Sequence, residues 1–207
     1  MNTFALSIIS LFGFLSIQAQ WIALESNTTY NLNDVHFVDH LHGFAVGQYG
    51  RMTATIDGGE TWVESTPFPA CNSRTITFTT ADSGWVGGSC GIYFTSNGGG
   101  TWTLQSPLVQ GINDLFFLDS KHGWAACDKL QTMRTTDGGT NWHLDSVEVP
   151  STPNNPTLAI HFKDKMNGWV VGGVLPHYST DGGDTWITGS SLLIDWLYDL
   201  DFGTDNI

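Results

Sequence analysis

An eight-residue motif occurs four times along the chain, and each copy joins a polar, glycine-containing turn to a tryptophan. The copies are TIDGGETW at 55–62, TSNGGGTW at 95–102, TTDGGTNW at 135–142 and STDGGDTW at 179–186. Their third residues are separated by 40, 40 and 44 positions, a period that is typical of propellers and solenoids. The repeat therefore predicts a structure assembled from similar units.

A short stretch with alternating apolar residues precedes each copy of the motif and is followed by a glycine-aromatic pair. The four stretches read DVHFVD, TITFTT, DLFFLD and AIHFKD. This alternation predicts one strand, the pair begins a second, and the motif turns the chain between a third and a fourth. We therefore predict an all-β fold, a β-propeller of four-stranded antiparallel blades. The blades are predicted over 33–65, 73–106, 112–146 and 157–190.

Two positions of the motif are expected to stabilise the blades. The third position can accept hydrogen bonds from amides of the turn, and it holds Asp57, Asn97, Asp137 and Asp181. The glycines that follow permit the positive φ angles of a tight turn. The last position is expected to pack between blades, and it holds Trp62, Trp102, Trp142 and Trp186.

The motif S/T-x-D-x-G-x-T-W matches the Asp-box, or BNR, repeat of sialidases and other β-propellers. The additional signature F-x-D-x-x-x-G-W-x-V-G, seen in FVDHLHGFAVG and FKDKMNGWVVG, resembles the Ycf48/Hcf136-like family of photosystem II assembly factors, which are exported propellers. The resemblance covers residues 21–207. It implies a propeller of about seven blades with a general protein-binding role, and it specifies architecture more strongly than activity.

Both ends of the chain hold part of a further repeat. Residues 20–32 are predicted to contain an orphan outer strand, because Trp21 precedes Phe37 by the same distance that separates Trp62 from Phe78. Residues 196–207 match only the first strand of a fifth blade. Four blades with two partial ones do not close a ring, so we expect a fragment of a larger propeller. An open arc that is completed by another chain is the alternative.

The charge balance argues against polyanionic partners. Aspartate and glutamate number 20 against 7 lysines and arginines, which gives a formal net charge of −13. Such a chain repels phosphate backbones and anionic lipid surfaces, so nucleic acid is not expected as a partner. The hydrophobic fraction of 41% supplies enough apolar material for a folded core.

The first residues of the chain predict an export signal peptide over 1–19. An uncharged run extends from Phe4 to Ile17, and small and polar residues surround Ala19. The run is too short and too early for a membrane-spanning helix, so no membrane insertion is expected of the exported chain. A buried first strand is the alternative. We therefore expect a secreted, periplasmic or cell-surface location.

The three cysteines are Cys71, Cys90 and Cys127. Cys71 precedes the first predicted strand of the second blade and Cys90 follows its second strand, and antiparallel pairing brings those two ends together. We therefore expect a disulfide between Cys71 and Cys90, with two unpaired buried cysteines as the alternative. Cys127 replaces a glycine of the repeat and is expected to be a small packed residue.

Enzymatic alternatives arise because Asp-box propellers include glycoside hydrolases. A sialidase needs three arginines that converge on the substrate carboxylate, whereas Arg51, Arg74 and Arg134 occupy different places in their blades. A catalytic pair of carboxylates occurs once in a chain. The acidic residue at the start of the first strand instead recurs, at Asp34, Asp114 and Asp199. We therefore predict no catalytic residue, and a xyloglucanase-like or sialidase-like hydrolase fragment remains the alternative.

A group of histidines at His36, His40 and His42 raises the question of a metal site. His40 and His42 belong to a predicted turn, whereas His36 lies on a strand and points elsewhere. A solvated turn accounts for them better than a metal centre does. We predict no metal site, and no cofactor motif is present in the sequence.

The remaining candidate for function is a surface formed by loops. In a propeller, the connections between second and third strands share one rim with the connections between blades, and such loops commonly carry recognition. The residues predicted on this rim are Tyr49, Arg51, Arg74, Lys129, His177 and Trp196. We therefore predict an exported, non-catalytic propeller that acts as an assembly scaffold and binds a protein or glycan ligand.

Overall fold

The computed structural model describes residues 23–106, 111–147, 156–173, 175–190 and 197–201. In this part of the chain, sixteen strands form four antiparallel sheets, and each sheet takes four consecutive strands in order. The predicted all-β fold of four-stranded antiparallel blades is confirmed. The predicted signal peptide over 1–19 and the predicted rim residue Trp196 lie outside the described residues.

The sheets are the blades of the fold and are numbered in chain order. Blade 1 contains β1 (Leu32–Phe37), β2 (Gly43–Gly47), β3 (Met52–Thr55) and β4 (Val63–Ser65). Blade 2 contains β5 (Ser73–Phe78), β6 (Gly84–Gly88), β7 (Gly91–Thr95) and β8 (Thr103–Ser106). Blade 3 contains β9 (Ile112–Phe117), β10 (Gly123–Cys127), β11 (Gln131–Thr135) and β12 (His143–Ser146). Blade 4 contains β13 (Ala159–Phe162), β14 (Gly168–Gly172), β15 (Leu175–Ser179) and β16 (Ile187–Thr188).

The blades pack on one another through their first and second strands. β1 contacts β5, β5 contacts β9, and β9 contacts β13. The second strands β2, β6 and β10 are buried along their whole length, whereas the fourth strands β4, β12 and β16 are largely exposed. The core of the described structure therefore lies between neighbouring sheets, on the side of their first two strands.

Stacked aromatic rings join each blade to the next. Trp124 on β10 lies flat against Phe162 on β13, with ring centroids 3.8 Å apart, and Trp186 meets Phe162 edge-on at 5.9 Å. The equivalent stacks between the other blades are Phe44 with Phe78 and Trp85 with Phe117. In blades 1 to 3, the aromatic residue of the glycine-aromatic pair thus supplies a contact with the next blade that a single sheet cannot make.

The glycine of each pair is required because the phenylalanine of the first strand lies directly against it. A Cβ atom at Gly84 would lie 2.5 Å from ring carbons of Phe78, and one at Gly168 would lie 2.5 Å from ring carbons of Phe162. Real Cβ atoms do not approach carbon so closely. The close packing of the two strands therefore explains why glycine precedes the aromatic residue.

Aspartates at the start of the first strands also tie blades together. Asp34 Oδ2 accepts a hydrogen bond from Ile76 N at 2.8 Å, and Asp114 Oδ2 accepts one from Ile160 N at 2.9 Å. Thr75 Oγ1 donates to Asp114 Oδ1 at 3.3 Å, so this carboxylate contacts blades 2 and 4 from blade 3. Burial raises the pKa of Asp114 to about 6 although hydrogen bonds to its carboxylate oppose the shift. In blades 1 and 3, the aspartate at this position therefore holds neighbouring blades together.

Residues 23–31 lead into β1 as an irregular segment that packs on blade 1. Thr53 Oγ1 donates to the carbonyl oxygen of Ser26 at 3.2 Å, and Asn27 Nδ2 donates to that of Trp62 at 2.6 Å. Asn27 has a φ of 55°, which turns the chain out of an extended conformation. Within the range predicted for an outer strand, residues 23–31 form no strand and residues 20–22 lie outside the described part.

Candidate functional site

The aspartate of the Asp box has its carboxylate occupied by the turn that surrounds it. Asp57 Oδ1 accepts hydrogen bonds from Thr55 Oγ1 at 2.7 Å and from Thr61 N at 2.9 Å, and Asp57 Oδ2 accepts one from Thr61 Oγ1 at 2.5 Å. Thr55 Oγ1 also accepts from Gly59 N at 2.9 Å. The hydrogen bonds from Thr61, followed by that from Thr55, lower the pKa of Asp57 to about 2.

The second box shows that an amide can replace the carboxylate. Asn97 Oδ1 accepts from Thr95 Oγ1 at 3.0 Å and from Thr101 N at 2.9 Å, and Asn97 Nδ2 donates to Thr101 Oγ1 at 3.1 Å. The geometry of the turn is thus kept with a neutral side chain. Closing the turn does not depend on a negative charge, and no oxygen of Asp57 or Asn97 is left to act on a substrate without breaking the turn.

The glycines of the box adopt the left-handed conformation that the motif predicts. Gly58 and Gly59 have φ angles of 75° and 94°. A side chain at either position would be strained, since L residues rarely occupy this region. The same two places in the other boxes have positive φ as well, at Gly98, Gly99, Gly138, Gly139, Gly182 and Gly183.

Three of the box tryptophans, Trp102, Trp142 and Trp186, pack on core residues of the preceding blade, and the four do not all make the same polar contacts. Trp62 and Trp186 are buried, and their Nε1 atoms donate to Gly59 O at 3.1 Å and to Thr132 Oγ1 at 3.2 Å. Trp102 and Trp142 are half-buried, and their Nε1 atoms have no hydrogen-bond partner among the described residues. These four rings are packing elements and do not form a shared surface.

Two of the three histidines of blade 1, His40 and His42, lie in the turn between β1 and β2. His42 Nδ1 lies 2.8 Å from Asp39 Oδ2, and Asp39 Oδ1 accepts from Leu41 N at 2.7 Å. His40 is exposed, and His36 stacks on Phe78 with ring centroids 5.8 Å apart. Within the described ranges, no group of three His, Cys, Asp or Glu side chains is placed to hold a metal ion.

Four of the predicted rim residues lie in connections between strands or near the start of a strand. Tyr49 and Lys129 stand in the connections between second and third strands, with φ angles of 57° and 61°. Arg51 Nη1 donates to Glu64 Oε2 at 2.8 Å within blade 1. Arg74 contacts Asn113 of blade 3, and its Nη1 lies 3.5 Å from Asp128 Oδ1. These four residues are distributed over three blades.

The prediction for His177 is wrong. This residue lies in the middle of β15 and is only 2% exposed, so it cannot contribute to a loop surface. Burial lowers its pKa, and its Nδ1 atom has no hydrogen-bond partner among the described residues. The connection between β14 and β15 was expected to reach His177, whereas β14 ends at Gly172 and β15 begins at Leu175 and pairs with β14 through His177.

The cysteines are placed near the same rim. The structure joins Cys71 and Cys90 by a disulfide, with Cα atoms 6.1 Å apart, and the carbonyl oxygen of Cys71 accepts from Gly50 N at 2.7 Å. Cys127 is free and fully buried in β10. Burial, followed by the charge of Asp128, raises the pKa of Cys127 to about 12, so this thiol is protonated at neutral pH and is not a nucleophile.

Sequence reasoning missed Tyr30, which extends the rim near Tyr49. The two rings meet edge-to-face with centroids 5.4 Å apart, and the guanidinium carbon of Arg51 lies 4.5 Å from the centroid of Tyr30. Tyr30 stands in the irregular segment before β1, where no strand pattern draws attention to it. An aromatic residue in a polar segment, NTTYN, was the available signal.

Sequence reasoning also missed a cavity of about 420 Å³ on blade 1. The cavity lies between the irregular segment and the sheet. Its apolar lining comes from Leu24, Leu32, Val35, Ala45 and Trp62. Val35 is 55% exposed, whereas Leu115 at the same place in blade 3 is 5% exposed. The difference arises because blade 2 packs on Leu115 and no described blade packs on Val35.

Comparisons with known proteins place these features in a family. The sequence model of a family described as photosynthesis system II assembly factor YCF48 matches residues 15–111 and 103–192. The photosystem II assembly lipoprotein Ycf48 of Synechococcus sp. (strain CC9902) is 36% identical over 86 residues, which are 41% of this chain. The photosystem II stability/assembly factor HCF136, chloroplastic, of Arabidopsis thaliana is 28% identical over 147 residues, or 62% of the chain. The matched regions span only 24% and 36% of these two relatives.

Solved structures support the same architecture. YCF48 from Cyanidioschyzon merolae superposes with a TM-score of 0.70 at 21% identity, covering 89% of this chain and 63% of that one. A structure of YCF48 bound to D1 peptide has a TM-score of 0.55 at 17% identity, with 83% and 84% covered. An ancestral GH74 enzyme has a TM-score of 0.68 at 15% identity, with 82% and 25% covered. At such identities the likeness concerns the fold alone.

No helix formed by the described residues is both long and apolar enough to cross a bilayer.

The structure contains the features on which the family resemblance rests. These are the four-stranded blades, the Asp boxes and the glycine-aromatic pairs. The family match extends over most of the sequence, from residue 15 to residue 192. The chain therefore belongs to the family of photosystem II assembly factor YCF48.

Proposed function

We propose that this chain is a non-catalytic propeller that binds a segment of another protein outside the cytoplasm. The observation that carries the proposal is family membership, since one solved member of this family is a YCF48 bound to D1 peptide. A rigid scaffold of blades with loops on one rim is suited to such binding, because the loops can be shaped without disturbing the core. The proposal concerns a protein ligand and leaves its identity open.

The placement of the arginines favours binding over sialidase chemistry. Arg134 contacts Asp184 and lies 3.2 Å from Asp145 through its Nε atom. Arg51 and Arg74 have their own partners in blade 1 and between blades 2 and 3. Each guanidinium is therefore occupied separately, and the three do not point to a common place where a substrate carboxylate could lie. The likeness to an ancestral GH74 enzyme adds nothing to a hydrolase reading, since it concerns the fold.

The loop-bearing rim is the surface that we assign to the ligand. Tyr49 is 58% exposed there, and Lys129 stands at the corresponding turn of blade 3. The opposite rim carries the Asp boxes, whose polar atoms are engaged in closing their own turns. A ligand on the loop-bearing rim therefore meets side chains that the fold does not require.

A site-specific cross-linking experiment tests this assignment. A photoreactive amino acid is placed at Lys129 on the loop-bearing rim or, as a matched control, at Glu60 in the Asp box of blade 1. The full-length protein is then irradiated in its native host. We expect a cross-linked polypeptide from position 129 and none from position 60. Equal cross-linking from both positions, or no polypeptide from position 129, would contradict the proposal.

Export forms a separate part of the proposal and needs its own experiment. The uncharged run from Phe4 to Ile17 supports it, together with the small residues around Ala19. We expect the mature protein to begin at Gln20. We also expect added protease to digest it in cells whose outer envelope has been permeabilised while the cytoplasmic membrane is intact. A retained N-terminus with protection from protease would contradict export.

Release of reducing sugar from xyloglucan by the purified protein would contradict the non-catalytic assignment.

A further inference from the structure

Two tyrosines form an exposed aromatic surface on the loop-bearing rim of blade 1. Tyr49 is 58% exposed and Tyr30 is 38% exposed, and their rings meet edge-to-face at 5.4 Å with an interplanar angle of 66°. Part of each aromatic surface is therefore open to solvent, while the guanidinium of Arg51 covers one face of Tyr30. We call this surface, made of Tyr30 and Tyr49, the tyrosine pair.

Tyr49 occupies a backbone conformation that its side chain does not favour. Its φ and ψ angles are 57° and 32°, which lie in the left-handed region where glycine is the usual residue. Lys129, at the same place in blade 3, has a φ of 61°, and Gly173, in the shorter connection of blade 4, has a φ of 72°. A left-handed residue therefore recurs in these turns, whereas an aromatic residue occurs in this connection only in blade 1 of the four described blades.

The turn that carries Tyr49 is held from two directions. Gln48 N donates to the carbonyl oxygen of Asn31 at 3.0 Å, and Gly50 N donates to that of Cys71 at 2.7 Å. Cys71 is in turn bonded to Cys90 of blade 2. The aromatic ring is thus presented on a fixed backbone, so little conformational freedom is lost when a ligand binds.

A second layer of side chains fixes Tyr30 and pairs the guanidinium of Arg51 that lies against its ring. The guanidinium of Arg51 lies under the ring, 4.5 Å from its centroid, and donates to Glu64 Oε2 at 2.8 Å. Thr28 Oγ1 donates to Glu64 Oε1 at 2.6 Å, and the backbone N of Tyr30 donates to Thr28 Oγ1 at 3.3 Å. Arg51 is therefore committed to Glu64 and to the ring, and it is not available to attract an acidic ligand.

We propose that the tyrosine pair is a docking site for a neutral, proline-containing segment of a partner protein in an extended polyproline II conformation. Proline rings are rigid and apolar and stack on tyrosine faces, while the carbonyl groups of this conformation are free to accept hydrogen bonds from tyrosine hydroxyls. The absence of a free cation in the pair and its layer of support favours a neutral segment over an acidic one. This inference rests on the proposed protein-binding function and names the chemistry of the ligand.

The experiment measures binding of a fluorescein-labelled polyproline peptide to the full chain by fluorescence anisotropy. We expect the peptide to bind the wild-type protein with little dependence on salt, because no ion pair is formed. Tyr49→Gly should weaken binding by about tenfold or more, as expected for loss of an aromatic anchor. Tyr49→Phe keeps the ring and should keep most of the binding. The matched control is Ile56→Ala, which removes an exposed apolar side chain from the opposite rim of the same blade.

Tyr49→Gly offers a clean separation of binding from folding. Glycine suits the left-handed turn, so its thermal unfolding midpoint should stay close to that of the wild-type protein. The proposal is overturned if polyproline does not bind the wild-type chain, if Tyr49→Gly binds it as well as wild type, or if Ile56→Ala weakens it equally. Binding of a xyloglucan oligosaccharide in place of polyproline would make the pair a glycan site. If Tyr49→Gly still cross-links a partner through position 129, the protein-binding function stands and the tyrosine pair is not its site.

Discussion

Trp124 donates from its Nε1 atom to the carbonyl oxygen of Gly182 at 2.8 Å while its ring lies flat on Phe162. One side chain of blade 3 thereby contacts both the Asp-box turn and the first strand of blade 4. Trp85 makes the corresponding bond to Gly138 at 3.3 Å. The Asp box is therefore a closed turn and also an acceptor for the preceding blade.

This relationship predicts a graded effect of substitution at Trp124. Trp124→Phe keeps the ring stack and loses the hydrogen bond, so it should lower the free energy of unfolding by about 1 kcal/mol. Trp124→Ala opens a cavity between blades and should lower it by about 3 to 5 kcal/mol. Phe44, which stacks on Phe78 between blades 1 and 2, shows that a phenylalanine can fill this place. Urea denaturation measures both values, and an equal loss in the two variants would contradict the role of Nε1.

The Asp box itself is predicted to be structural and to tolerate an amide. Asp181 accepts from Ser179 Oγ, from Thr185 N and from Thr185 Oγ1. Asp181→Ala removes these acceptors and should lower the free energy of unfolding by about 1 to 2 kcal/mol. Asp181→Asn should cost less, since Asn97 closes the second box. Neither variant should change cross-linking from position 129; loss of cross-linking without loss of stability would make the box part of the site.

The same hydrogen bonds predict how the box responds to acid. They hold the pKa of Asp181 at about 2, with those from Thr185 contributing most, below the ordinary value of 3.8. A carboxyl group whose pKa is lowered by folding stabilises the protein above its unfolded pKa, and this contribution is lost as pH falls towards 2. The pH dependence of unfolding below 3.8 should therefore be weaker in Asp181→Asn than in wild type. Identical acid limbs for the two proteins would argue against this reading.

Asp114 should act in the opposite direction and in a different pH range. Burial raises its pKa to about 6 from an ordinary value of 3.8, so the folded protein binds a proton more readily than the unfolded chain does. Its contribution to stability is then largest below 3.8 and declines as pH rises to about 6. Buried His177, whose pKa is lowered, changes stability with the opposite sign below 6.5.

The difference between wild type and Asp114→Asn isolates the contribution of Asp114. Asp114→Asn should be less stable than wild type at every pH. Asparagine has only one acceptor oxygen, so either the hydrogen bond from Ile160 N or that from Leu115 N is lost. The stability lost in the variant should be greater at pH 4 than at pH 7. Urea denaturation at these two pH values gives the comparison, and a loss that does not vary with pH would contradict the raised pKa.

The cysteines give a prediction that peptide mapping can check. Exported protein should contain a bridge between Cys71 and Cys90, whose sequence separation is 19. A paired Cys71→Ser and Cys90→Ser variant should lose about 3 kcal/mol of unfolding free energy. Cys127 should resist alkylation until the protein unfolds, because it is buried and its pKa is raised to about 12. A bridge that includes Cys127 would contradict the assignment.

The parts of this fold that sequence predicted are those with local causes. The positive φ angles at Gly58 and Gly59 and the hydrogen bonds of Asp57 arise within a few residues, so each copy of the motif contains its own explanation. The place of His177 was wrong because the connection between β14 and β15 is short, and its length is set by how the two strands pair. The contact between Tyr30 and Tyr49 was missed because it joins two irregular segments, and their approach follows from the packing of the whole blade.

The carboxylate of Asp114 has a consequence for how opening motions spread through the chain. Contacts between the blades of a propeller connect each blade with its neighbours, and such arrays behave as rows of units coupled to their nearest neighbours. Asp114, by contrast, holds Thr75 of blade 2 and Ile160 of blade 4 with one group. Opening of either neighbouring blade therefore removes a hydrogen bond from the same carboxylate. Amide protons at the start of β5 and β13 should therefore exchange with correlated rates, although neither strand touches the other in the sheet order.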